Sequence, residues 1–157
     1  MSGPNIKRTS TVVPAGILEG VNWQDSFEIV PLHQKLSAED AVEKMFGDAP
    51  PLWIRMLNGL RNALVRPFGI KPGQITTDDR QPGAFPTLQK TEDYVVLGYD
   101  DWHLNFRVVV QTHDRPAGQS VSLTTLVRRN NWFGYLYVFL ITPFHDLIVS
   151  RLLRNLN

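Results

Sequence analysis

The stretch YVVLGYDDWHLNFRVVVQTHDRPAGQSVSLTTLVRR, residues 94–129, decides the fold. Along most of it apolar and polar residues alternate with a period of two, the period of a strand whose side chains point to opposite faces. Asp100-Asp101 and Asp114-Arg115-Pro116-Ala117-Gly118 interrupt the alternation with turn-forming residues, and Glu92-Asp93 does so just before it. Four strands follow from these breaks: about Phe85 to Lys90, Tyr94 to Tyr99, His103 to Thr112 and Gln119 to Arg129. Connections this short join antiparallel neighbours, so the reading is a meander.

Upstream, Trp23 to Val30 is a further strand, with Phe27 and Ile29 alternating with Ser26 and Glu28 until Pro31 ends the run. Ser37 then offers a helix N-cap, Asp40 sits three residues on, and Ala38, Ala41, Val42, Met45 and Phe46 recur at helical spacing before Gly47. Pro50 and Pro51 open a second helix, whose Trp53, Met56, Leu57, Leu60 and Leu64 form one apolar stripe. The stretch Ile70 to Gly83 is rich in Pro and Gly and reads as a loop, within which Ile75 to Asp79 has room for one more strand.

Downstream, Trp132 to about Asn155 is mostly apolar and reads as a long, buried helix kinked at Pro143. A strand over Tyr135 to Ile141 followed by a helix from Pro143 is the alternative that its β-branched and aromatic content leaves open. Gly134, Pro143, His145 and Asp146 interrupt the segment, which argues against an integral membrane span. Residues 1–20 read as a flexible polar lead-in and residues 21–157 as a single α+β domain.

Composition narrows the function classes. With 16 basic and 15 acidic side chains the net charge is +1, so a nucleic-acid partner is not expected. There is no cysteine, which excludes disulfides, thiolate nucleophiles and sulfur-based zinc sites, and fits a cytoplasmic setting. Met1 to Pro14 has no apolar core of the kind a signal peptide carries. The histidines show no ligand spacing, so neither a metal nor another cofactor is expected. No Gly-x-Ser-x-Gly elbow is present.

Three stretches resemble a known family. They are Pro51-Leu52-Trp53 with Leu60-Arg61-Asn62; Val96-Leu97-Gly98-Tyr99-Asp100-Asp101-Trp102-His103-Leu104-Asn105-Phe106-Arg107; and Asn131-Trp132-Phe133-Gly134-Tyr135-Leu136-Tyr137 with Pro143-Phe144-His145. On these the chain resembles the DUF2867 family, within the START-like, Bet v 1-like (SRPBCC) superfamily. The resemblance implies a helix-grip fold, a curved antiparallel sheet wrapped on a long C-terminal helix. It also implies a hydrophobic pocket between them and no fixed catalytic residues. One departure is that about five strands are legible here, where a helix grip has more.

Candidate ligand-contacting residues come from their positions. Asp101, His103, Asn105 and Arg107 share one face of the strand after Trp102, with the character of a polar-substrate platform or of the wet side of a one-faced sheet. His145 shares a helix face with Ile141, Thr142, Ile148, Val149 and Leu152, as a core histidine or a hydrogen-bonding handle in a pocket. Arg61 borders the second helix's stripe and suits either solvent or an anion. Tyr137, with Trp53, Trp132, Tyr135 and Phe139, would wall a cavity or fill a core.

These features lead to a non-enzymatic domain that holds a small hydrophobic or amphipathic molecule between sheet and C-terminal helix. One alternative is a cyclase- or hydrolase-type enzyme in the same pocket, with His103 or His145 as base and Arg107 as anion clamp. Another is a homodimeric interaction module presenting Trp132 to Ile141.

Overall fold

The structure is a computed structural model that describes residues 5–10, 12–30, 32, 34–46, 63, 87–100, 102–116, 118–154 and 156. The second helix expected from Pro50, the loop after it, the strand weighed over Ile75 to Asp79, Arg61 and Asp101 lie outside the described residues.

Six strands form one antiparallel sheet among the described residues. They are β1 (Asn5–Arg8), β2 (Trp23–Val30), β3 (Thr87–Lys90), β4 (Tyr94–Asp100), β5 (Leu104–Arg115) and β6 (Gly118–Arg129), in the order β1-β2-β6-β5-β4-β3. The expected meander is present as β3 to β6. β5 and β6 form a long hairpin in which Arg115 pairs with Gly118, and Gly118 adopts φ +128, a conformation that favours glycine. β2 joins the meander's far edge through β6, in a register that sets Asp25 opposite Thr125.

β1 departs from the sequence reading, which left Asn5–Arg8 in a flexible lead-in. It pairs with β2 from Asn5↔Val30 to Arg8↔Phe27. Its sequence, NIKR, offers a single apolar residue and so no alternation to detect. Lys and Arg on an outer strand are the charges that guard a sheet edge against pairing with another chain.

Among the described residues, two helices lie on one face of the sheet. Helix α1 (Ala38–Phe46) starts where expected: the Ser37 hydroxyl accepts a hydrogen bond from the Asp40 amide at 3.1 Å. Its Ala38, Ala41, Val42 and Met45 pack with Phe27 and Ile29 of β2, Val95 and Leu97 of β4, Val108 and Val110 of β5, and Val121 and Leu123 of β6. Each of the larger of these side chains contributes roughly 1.5–3 kcal/mol when fully buried, and each alanine methyl less.

Helix α2 (Trp132–Arg154) runs unbroken through Pro143, so the strand alternative for Tyr135 to Ile141 does not occur. Asn131 caps it by accepting from the Gly134 amide at 3.2 Å. Its C-terminal half adds Val149, Leu152 and Leu153 to the main core; its first half packs Phe133, Tyr137 and Val138 on Leu104 and Val127. The expectation of a buried helix is corrected. Tyr135, Leu136, Phe139, Phe144 and Leu147 are exposed, Phe139 at 75%. Trp132, Tyr135 and Phe139 therefore do not wall an interior cavity.

The opposite face of the sheet is not simply wet. Val96, Val109 and Leu126 are buried there beneath Val13, Ile17, Leu18 and Val21 of the segment between β1 and β2.

Candidate functional site

The candidate residues separate into three places. His103 does not share a face with Asn105 and Arg107, because β5 begins only at Leu104 and His103 occupies the bend before it. Its ring is buried between Trp102, Phe133 and Tyr137, with centroids 5.2, 5.5 and 5.0 Å away. Edge-to-face packing of this kind is core packing. The His103 carbonyl accepts from the Asn130 amide at 2.9 Å, and it lies so close to Gly134 that a β-carbon there would collide with it. Tyr137 belongs to this same cluster.

Asn105 and Arg107 lie on the face away from the helices. Arg107 Nη1 donates to Asp100 Oδ1 at 2.7 Å and to the Phe106 carbonyl at 2.8 Å. Its side chain crosses Gly98, where an added β-carbon would come within 2.7 Å of Arg107 Cδ. Asn105 sits 3.2 Å from the Asn130 amide group. His103, Arg107 and His145 do not converge.

His145 has a different set of neighbours. Its Nε2 lies 3.1 Å from Asp25 Oδ1, and its ring stands edge-on to Trp23, with centroids 5.5 Å apart. The Asp25 side chain is only 6% exposed. Asp25 Oδ2, Thr125 Oγ1 and Asp146 Oδ1 are among the buried side-chain atoms of the described residues without a hydrogen-bond partner, as is Gln111 Oε1 elsewhere in the sheet. Asp25 and Thr125 are register partners, and Asp146 follows His145 on α2. Buried polar atoms are nearly always satisfied, and leaving one unsatisfied costs about 1–3 kcal/mol. The Asp25, Thr125 and Asp146 groups sit on β2, β6 and α2, the elements that meet where His145 bonds Asp25. Asp146 Oδ2 is held by Arg8 Nη2 at 2.9 Å, which ties β1 to α2.

The sequence reading missed Asp25, Thr125, Asp146 and Arg8 as site residues. A signal for the first two was available. Trp23, Asp25, Phe27 and Ile29 share one phase of β2, and Val121, Leu123, Thr125 and Val127 share one phase of β6. A carboxylate in the apolar phase of a strand is a misplaced charge, and it calls for a partner.

Asp25 also belongs to the wall of a cleft of about 450 Å³ at the end of β1. Thr9, Ser10, Gln24, Ser26 and Thr124 line it with hydroxyl and amide groups. The Ser26 and Thr124 hydroxyls hydrogen-bond to each other. The volume is in the range that holds a small molecule.

Farther along the same outer face is a satisfied ionic cluster. Glu28 Oε1 accepts from Arg115 Nη2 at 2.7 Å, Arg115 Nε at 2.9 Å and Ser120 Oγ at 2.6 Å. Burial alone would raise the Glu28 carboxyl; the hydrogen bonds from Ser120 and Arg115, with the Arg115 charge, outweigh it and hold the group below the usual carboxylate range. His113 Nε2 lies 3.0 Å from Ser122 Oγ. Burial pushes its imidazole below the usual range, and the Glu28 charge offsets this only in part. This cluster has the character of a structural ion pair.

No group of three or more metal-ligating side chains suited to a metal ion occurs among the described residues. No curated protein and no solved structure matches the chain. A family model does, over residues 17–152, which take in every strand of the described residues except β1, all of α1 and nearly all of α2, and on that match the chain belongs to the family described as Protein of unknown function (DUF2867).

Proposed function

We propose that this is a small-molecule-binding domain whose ligand enters the seam between the sheet and α2, presenting a hydrogen-bond-donating head to Asp25. The observation that carries the proposal is the Asp25 carboxylate. It is buried on an apolar sheet face, it uses one oxygen on His145 and leaves the other without a partner. Two carboxylate oxygens and a hydroxyl favour an ammonium, amide or alcohol over an anion. The Trp23 ring beside His145 suits the apolar remainder of an amphipathic ligand.

A helix-grip fold of the START-like superfamily accords with this reading. A six-stranded antiparallel sheet against a long terminal helix supports it. Cytoplasmic residence belongs to the same proposal and rests on the absence of cysteine.

A second reading, acid–base catalysis at the same seam, is favoured by one feature: a carboxylate 3.1 Å from an imidazole nitrogen is how a general base is oriented. That reading needs His145 and Asp25 and does not use His103 or Arg107.

The test is thermal stabilisation by a panel of amphiphiles with matched tails and ammonium, alcohol or carboxylate heads. Stabilisation by the first two and not the third, lost in Asp25→Leu, is expected. Equal response to all three heads, or an unchanged response in Asp25→Leu, would refute the site. Turnover of a bound member, abolished by His145→Gln, would favour the catalytic reading.

A further inference from the structure

We infer that the outward face of α2 docks the domain on an anionic lipid surface. Tyr135, Leu136, Phe139, Phe144 and Leu147 are exposed on one helix, Phe139 at 75% and Leu147 at 60%. Phe139 stands four residues after Tyr135, three after Leu136 and eight before Leu147, so these side chains fall on one side of the cylinder and form a stripe. A contiguous apolar stripe of this kind on a surface helix marks an interaction site.

The charges around the stripe say what covers it. At its N-terminal end the Arg129 guanidinium stacks on the Tyr135 ring, 4.0 Å from the centroid. At its C-terminal end Arg151 and Arg154 are exposed. The single acidic residue of α2, Asp146, is neutralised by its ion pair with Arg8. The rim is therefore cationic at both ends. A second copy of the chain fits poorly, since parallel or antiparallel pairing of two α2 helices sets arginines against arginines with no acid between them. Anionic headgroups complement the rim, and the aromatic side chains suit the headgroup–acyl boundary.

Helix α2 is long and apolar enough to cross a membrane by length and composition alone. Yet both its halves are packed on the sheet through Phe133, Tyr137, Val138, Val149, Leu152 and Leu153. The geometry is that of a helix lying in the interface, with the sheet on its far side.

The test is flotation of the purified chain with vesicles of phosphatidylcholine alone and of a phosphatidylcholine–phosphatidylglycerol mixture, with size-exclusion chromatography in parallel. The expected result is flotation with the mixture only, weakened by salt. Neutralising Arg151 and Arg154 as Arg151→Gln with Arg154→Gln should weaken it roughly fivefold per arginine. Phe139→Glu, at an exposed position that leaves the fold intact, should weaken it at least about tenfold. Absence of flotation with either vesicle overturns the inference. A dimer dissolved by Phe139→Glu would then name a second copy as the occupant, and a monomer would leave the stripe with neither occupant.

Discussion

Two carboxylates, three residues apart on β2, occupy opposite faces of the sheet and meet opposite fates. Glu28 has its charge answered by Arg115 and Ser120, whereas Asp25 spends one oxygen on His145 and leaves the other idle. Breaking a buried, satisfied pair leaves uncompensated polar groups, while removing an unsatisfied one relieves a cost. Glu28→Leu should therefore lower stability by about 2–4 kcal/mol, reduced from the full buried-pair value because Arg115 is half exposed. Asp25→Leu relieves the idle oxygen but strips His145 of its partner, so it should cost clearly less than Glu28→Leu. Urea midpoints of the two variants check the contrast, and a large loss in Asp25→Leu would assign Asp25 to the scaffold.

The same residues set the response to acid. His113 is depressed in the folded state, so the unfolded chain binds its proton more readily. Stability from this source begins to fall as pH drops through the ordinary histidine value of 6.5. Glu28 is also depressed; its contribution is present above the ordinary carboxylate value of 4.5 and is lost as pH falls through its lower folded value. Two successive losses are expected in urea midpoints measured from neutral to acid pH, and His113→Gln should remove only the earlier one.

At the scale of elements, most of the sheet was legible because apolar alternation is a local signal. Trp23–Val30, Ser37 as a cap and Trp132 as the first residue of α2 were all readable from spacing. What escaped depended on tertiary partners. β1 exists because β2 offers it an edge, not because NIKR prefers a strand. The exposure of α2 was hidden because its apolar residues cover most of its circumference, and spacing alone does not tell which side meets the sheet. His103 escaped because the strand starts one residue later than its alternation suggests, which frees the ring to turn into the helix-side cluster. The start of α2 makes a prediction here. Gly134→Ala would set a β-carbon against the His103 backbone carbonyl, with no flexible side chain to yield. It should cost about 2 kcal/mol and loosen the packing of Phe133 and Tyr137. The loss is measurable by denaturation and by faster amide exchange over residues 132–140.

At the scale of the whole molecule, the sheet order places the N-terminal strand beside α2 while the meander forms the other edge. The site depends on that closure. β1 carries Arg8 to Asp146, β2 carries Asp25 to His145, and β6 sets Thr125 beside Asp25. Removing residues 1–9 should weaken the seam and uncover the outer edge of β2 from Phe27 to Val30, which would show as faster amide exchange in β2 and greater self-association. The candidate residues read from the strand after Trp102 rested on one element, whereas the seam draws on β1, β2, β6 and α2. A site assembled from four elements leaves little trace in any one of them beyond a misplaced polar residue.

Native mass spectrometry of the purified chain beside its Asp25→Leu variant, each compared with its denatured mass, tests the seam most directly. The binding account predicts a discrete excess mass on the wild-type monomer that disappears on denaturation and is absent from the equally folded variant. The same excess on both proteins, or a bare monomer mass for the wild type, would contradict it.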